Sequence, residues 1–126
     1  MPDVVAPYYV LPDANIWIAE RLLQSAIGSA FLYSVTRAKS SILLPEVVEL
    51  EVGQVLPKKA EEGVSAIKRE LSLLQQLSGH DLRVDAPSQL AIQEGIQERW
   101  NQLSGLLVRL PFTHDQAKSA LLLKTN

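Results

Sequence analysis

Cysteine is absent from the 126 residues, which excludes disulfide bonds, thiolate metal sites and thiol nucleophiles. Positive charge is not in excess either. The formal net charge is −2, so a broad basic surface that holds nucleic acid through its phosphates is excluded. No stretch reaches the roughly 18 apolar residues that span a bilayer, and no basic segment followed by an apolar core opens the chain as an export signal would. We therefore expect a cytoplasmic protein without a membrane partner.

Apolar side chains make up 47% of the residues, which is enough for a folded core. With 126 residues, we expect a single domain spanning 1–126. Short apolar runs alternate with amphipathic stretches, which predicts an α/β fold with a short parallel sheet in a three-layer α/β/α sandwich. We expect strands at 8–11, 42–44, 82–84 and 106–110, and helices at 15–38 with a break near Gly28, at 45–56, at 57–77, at 88–103 and from Thr113 onward.

The stretch from Tyr8 to Trp17 joins a predicted strand to a predicted helix, and Asp13 stands at the junction. Ligands of open parallel sheets bind beyond the carboxyl ends of the strands, so one interpretation gives Asp13 a catalytic or metal-binding role. The other interpretation is an N-cap, because Asp accepts hydrogen bonds from the free N–H groups of a first helical turn. The sequence leaves both open at this point.

The helix predicted from Pro45 carries three glutamates, which a helical wheel at about 100° per residue separates. One arc of the wheel is formed by Val47, Val48, Val52 and Val55. Glu51 falls inside this arc, whereas Glu46 and Glu49 fall outside it and are expected to face water. A carboxylate on a core-facing arc is disfavoured unless it is paired, protonated or bound to a metal. The alternative is a half-buried glutamate that a backbone group or a distant lysine satisfies.

Asp13 and Glu51 follow two strands that are consecutive in the chain. Neighbouring parallel strands would bring both carboxylates to the same edge of the sheet. Hard divalent ions prefer carboxylate oxygen, and acids that converge in a cleft hold such ions for phosphoryl chemistry. The two acids therefore predict a Mg²⁺ or Mn²⁺ site.

Three segments resemble PIN domains, the fold of toxin-type and RNA-processing nucleases that use divalent metals. The opening strand and Asp-x-Asn element of that family resemble residues 10–17, Val-Leu-Pro-Asp-Ala-Asn-Ile-Trp. The family's next strand, with the helix that carries a metal-binding Glu, resembles residues 43–52, Leu-Leu-Pro-Glu-Val-Val-Glu-Leu-Glu-Val. Residues 112–117 resemble the segment that precedes the family's third acidic motif.

The resemblance implies a role for each of three side chains. Asp13 and Glu51 would bind the metal and act in catalysis, and Asn15 would be a catalytic residue that orients the site. The implied activity is Mg²⁺- or Mn²⁺-dependent endonucleolytic hydrolysis of single-stranded RNA. The toxin-type members also imply an antitoxin-type protein partner.

The chain departs from the PIN pattern at the third acidic motif. PIN domains carry a third Asp, and often a fourth, beyond the helix predicted from Thr113, and the sequence ends at Asn126 before such an element. Asp115 is expected to complement a helix dipole and not to replace that ligand. We therefore expect a C-terminally incomplete or degenerate PIN-like chain, with an uncovered sheet edge that favours homo-oligomers. With two ligands, these residues alone should have weak or no nuclease activity.

The competing hypothesis is a catalytically degenerate PIN-fold protein that acts as an interaction or dimerisation module. A flavodoxin-like or receiver domain with Asp13 as phosphoacceptor is disfavoured, because the chain lacks the acidic pair and the later Thr and Lys that such a domain needs. Trp17 and Trp100 lie at helical apolar spacing and are expected to pack in the core, not to stack on bases. His80 and His114 are expected to be inert surface residues.

Overall fold

The computed structural model of the protein describes residues 8–111, in which three strands and four helices form a mixed α/β fold. In chain order the elements are β1 (Tyr9–Val10), α1 (Ala14–Ala19), α2 (Ala26–Arg37), β2 (Ser41–Pro45), α3 (Glu46–Ser78), α4 (Gln89–Leu103) and β3 (Leu107–Leu110). The strands form one parallel sheet in the order β1-β2-β3. The predicted α/β class with a short parallel sheet is confirmed at this level.

Strand β2 is the centre of the sheet because it pairs with both other strands. Its apolar run has Ile42 and Leu44 on one face, and both side chains are fully buried. Ile42 lies beside Val10 of β1 and Leu107 of β3 in the parallel register. A continuous apolar run suits a strand that is covered by helices, which is why this segment takes the central place.

The core centres on a pair of tryptophans that joins α1 to α4. The rings of Trp17 and Trp100 lie 5.0 Å apart at an interplanar angle of 59°, an arrangement that adds about 0.5–1.5 kcal/mol beyond simple burial. Both side chains are buried, so the prediction that they pack in the core is confirmed. The Nε1 atom of Trp17 is buried without a hydrogen-bond partner in the described part of the chain, which opposes this stabilisation.

The first helical region breaks earlier than the sequence predicts. The break lies between α1 and α2, at residues 20–25, and not at Gly28, which is inside the first turn of α2. Three residues in the break, Arg21, Leu22 and Leu23, have positive φ and turn the chain the opposite way from a right-handed helix. Gly28 is needed for a different reason, because the backbone of Leu23 packs directly against it.

Proline does not divide the helix that follows β2. Pro57 lies within the continuous helix α3, so the prediction of two helices meeting there is wrong. A single proline removes one N–H, the donor to the carbonyl four residues earlier, and the turns on both sides still form. That carbonyl belongs to Gly53, an exposed residue, so water can replace the missing donor.

The predicted strand at 82–84 is also wrong, because this segment belongs to the irregular connection between α3 and α4. The Gln75 side chain donates a hydrogen bond to the Leu82 carbonyl, which satisfies backbone that a strand would have paired. The predicted helix at 88–103 is confirmed, and the Ser88 hydroxyl caps it by accepting a hydrogen bond from the Ala91 N–H at 3.1 Å. The helix predicted from Thr113 lies outside the described residues. None of the helices within 8–111 combines the length and apolar character that a bilayer crossing requires.

Candidate functional site

The carboxyl ends of the three strands meet at one edge of the sheet, and two helices start there. In the parallel register Val10 lies beside Ile42, and Pro45 lies beside Leu110. Asp13 is three residues beyond Val10, and Pro45 is three residues beyond Ile42. The starts of α1 and α3 therefore lie at the same edge, and the two helices contact each other. This is the edge at which the sequence places the site.

Asp13 caps helix α1. Its backbone is extended, and its Oδ1 accepts a hydrogen bond from the Ile16 N–H at 3.0 Å. The capping interpretation is confirmed. Within residues 8–111 this bond uses one carboxylate oxygen, and the side chain is exposed. The metal-binding interpretation stays a prediction. Asp13 lies at the start of α1, beyond the carboxyl end of β1.

Asn15 is the second residue of α1, and its side chain is exposed. It follows the Asp13 cap by two residues, on a helix of only six residues. The orienting role of Asn15 stays a prediction.

Glu51 is exposed, so the expectation that it points into the core is wrong. The error comes from Val47, whose side chain is 52% exposed and does not belong to the buried arc. Without Val47, the buried side of this part of α3 is centred on Val52 and Leu56, and Glu51 lies outside it. The argument from a buried, unpaired carboxylate therefore no longer applies. The assignment of Glu51 as a metal ligand rests on the resemblance alone.

The more buried glutamate of this segment is Glu49, which the wheel placed toward water. Its Oε1 accepts a hydrogen bond from Nε of Arg109 at 3.0 Å, and the two side chains are 31% and 45% exposed. Arg109 lies on β3 beside Leu44 of β2, so the pair ties α3 to the edge strand. The sequence signal for this pair is the register between β2 and β3, which a search for nearby charges along the helix misses.

The described acids do not form a complete metal centre. Within residues 8–111, no three or more His, Asp or Glu side chains are grouped closely enough to hold one ion. Asp13 and Glu51 supply the oxygen donors that Mg²⁺ and Mn²⁺ prefer, so the donor type fits and the donor number falls short. Asp81 lies in the connection after α3 and pairs with Arg83 at 3.0 Å. Asp115 and His114 lie outside the described residues.

No protein-family model, curated protein or solved structure matches this chain. The likeness to PIN domains therefore rests on the short segments around Asp13 and Glu51. In the structure both segments lie at one edge of the sheet.

A groove of about 330 Å³ lies between α3 and α4, next to this edge. Its lining residues include Glu49, Gly53, Pro57 and Trp100, but neither Asp13 nor Glu51. Gly53 leaves open space there, since a Cβ at this position would meet no heavy atom within 4 Å. The groove is thus a feature of the helix pair and is separate from the predicted metal site.

Proposed function

We propose that the chain is a PIN-like endoribonuclease that hydrolyses single-stranded RNA with Mg²⁺ or Mn²⁺, built as a three-layer α/β/α sandwich. The observation that supports the proposal most is the common position of Asp13 and the α3 segment at the carboxyl edge of the parallel sheet. Such edges are where α/β folds bind ligands. Asp13 and Glu51 are the proposed metal ligands, and Asn15 orients the site.

The chain's own residues would act by holding and orienting. The Asp13 cap engages one carboxylate oxygen with the helix, and the second oxygen would bind the cation. Glu51 is exposed on α3, the neighbouring element, and would be the second ligand. When bound, the metal supplies an activated water and stabilises charge on the attacked phosphate. Two protein carboxylates hold Mg²⁺ loosely, so slow cleavage is expected.

A cleavage assay with a fluorogenic single-stranded RNA and Mn²⁺ tests this function. We expect slow, metal-dependent cleavage that Asp13→Asn abolishes, because Asn keeps the N-cap and removes the charge. Asp81→Asn is the matched control, since it removes an exposed acid far along the chain from the site. Cleavage that needs no metal, or that persists in Asp13→Asn, would contradict the proposal. The absence of cleavage in both the parent chain and Asp81→Asn would favour the second candidate, a degenerate chain.

The second candidate is a degenerate PIN-fold protein whose role is to associate with a second copy of itself. It is favoured by apolar side chains that are exposed on the C-terminal half of α3. There Ile67, Leu74 and Leu77 are 46%, 51% and 77% exposed. Clusters of exposed apolar side chains mark interaction surfaces in soluble proteins. Sedimentation velocity distinguishes the candidates. A dimer that Leu74→Gln dissociates, in a chain without cleavage activity, supports this one, and a monomer at all concentrations opposes it.

A further inference from the structure

The segment between α1 and α2 contains three consecutive non-glycine residues in the left-handed region. Arg21, Leu22 and Leu23 have φ values of 53°, 56° and 64°. Residues with a Cβ rarely adopt this conformation once, and a run of three is costly because each Cβ crowds the following carbonyl. Surrounding contacts must therefore hold this turn in place.

The side chains of the turn supply the first of these contacts. Leu22 and Leu23 are 3% and 1% exposed and belong to the main core. If the backbone relaxed to right-handed geometry, both side chains would leave their packed positions. Gly28 supplies a second contact, since a Cβ there would lie 2.4 Å from the Leu23 Cα. The backbone of the first turn of α2 therefore packs directly against the backbone of the left-handed turn.

Arg99 supplies the third contact, from the other end of the sequence. Its Nε donates to the Leu22 carbonyl at 3.0 Å, and its Nη2 donates to the Leu23 carbonyl at 3.2 Å. Two adjacent carbonyls with this spacing match the planar fork of a guanidinium, which a lysine ammonium cannot reproduce. The remaining nitrogen, Nη1, donates to the Gln102 side chain at 3.1 Å, and that bond holds the fork in its orientation on α4.

We propose that Arg99 and the turn 21–23 form a conformational latch between α4 and the end of α1. With the guanidinium in place, the turn stays left-handed and the last residues of α1 are fixed. When the Arg99 side chain is withdrawn, the turn opens more often and the end of α1 loosens locally, while β2 keeps its pairing with β3. Because α1 has only six residues, loosening its end also reaches the capped start at Asp13. The latch does not depend on the proposed nuclease function.

Amide hydrogen exchange in the intact chain tests the latch through Arg99→Gln and Arg99→Lys. In both variants we expect amides of residues 16–25 to exchange faster by about tenfold or more, the factor that corresponds to losing charge-assisted hydrogen bonds. Amides of β2 should keep the protection of the parent chain. Arg83→Gln is the matched control, because within residues 8–111 this arginine pairs with nearby Asp81 in the exposed connection. It should leave residues 16–25 unchanged.

Relieving the strain at one exposed position provides the complementary test. Arg21→Asn places a residue that tolerates left-handed geometry in the turn without touching the core. In the Arg99→Gln background it should slow exchange of residues 16–25 back toward the parent rate. Lys39→Asn is the control, since Lys39 is also exposed with a positive φ of 54° but lies outside the turn.

Three results would overturn the proposal. The first is Arg99→Gln with unchanged exchange at 16–25. The second is an equal rise of the exchange rate in β2, which would mean that the whole fold is destabilised. The third is rescue by Lys39→Asn as large as rescue by Arg21→Asn. If Arg99→Gln fails to fold, Arg21→Asn in the parent chain decides the question. The latch then predicts slower exchange at residues 16–25 and an unchanged exchange rate in β2.

Discussion

Replacing Gly28 by alanine gives opposite expectations from helix propensity and from tertiary packing. Gly28 lies in the first turn of α2, where its N–H donates to the Ser25 cap at 2.9 Å. Alanine in a helix interior is more favourable than glycine by about 1 kcal/mol. In the folded chain, however, the added Cβ would lie 2.4, 2.6 and 2.8 Å from the Cα, carbon and oxygen atoms of Leu23.

The contact cannot be relieved by moving a side chain, because all three atoms belong to the backbone of the strained turn. Overpacking of a well-filled site costs about 1–3 kcal/mol, and a backbone clash belongs at the top of that range. After subtracting the gain in helix propensity of about 1 kcal/mol, we expect Gly28→Ala to destabilise the chain by about 2 kcal/mol. Gly63 and Gly95 are matched controls, since a Cβ at either position meets nothing within 4 Å.

Urea unfolding followed by tryptophan fluorescence is a suitable assay because Trp17 and Trp100 are both buried. Gly63→Ala and Gly95→Ala should raise the free energy of unfolding by about 0.5–1 kcal/mol, as exposed helical sites do. Gly28→Ala should lower it. If Gly28→Ala is as stable as the two controls, the packing of the turn against α2 is wrong, and the latch built on that turn loses its second contact.

Three further changes test separate parts of the structure. Asp13→Ala should lower the free energy of unfolding by about 1 kcal/mol through loss of the N-cap, whereas Asp13→Asn should leave it nearly unchanged, as chemical denaturation would show. Pro57→Ala should raise helical content by circular dichroism and stabilise the chain by about 1–3 kcal/mol, because it restores the donor to the Gly53 carbonyl. Equal or lower stability would mean that contacts of the proline ring stabilise the fold. Glu49→Gln should cost no more than about 1 kcal/mol, and less at high salt, because its pair with Arg109 is partly exposed.

The alternation of elements was predictable because it depends on local pattern. The apolar run at Ile42 to Leu44 predicts a buried strand, and Ser88 predicts a helix start, and both are observed. The break after α1 was misplaced because glycine is the usual sign of a break, whereas here Gly28 is the packing partner. The left-handed turn accepts hydrogen bonds from Arg99, which is 76 residues from Leu23 in sequence. No local pattern carries information over that separation.

The starts of α1 and α3 at one edge of the sheet were predictable, and the exposure of Glu51 was not. Asp13 at the end of β1 follows from the strand boundary, and its cap follows from residue type. The exposure of Glu51 could not be obtained from the wheel, because Val47 is apolar and yet faces outward. Which valines are buried depends on where α1 and the sheet contact α3. That information belongs to the tertiary structure.

Mn²⁺ titration by calorimetry tests the central claim, a metal site at the carboxyl edge, most directly. We predict saturable binding that Asp13→Asn and Glu51→Gln each abolish, while Glu49→Gln and Asp81→Asn retain it. The Asp13→Asn variant keeps the N-cap, so its loss of binding would report a lost ligand and not a lost fold. No saturable binding, or binding that depends on Glu49 and not on Glu51, would contradict the account.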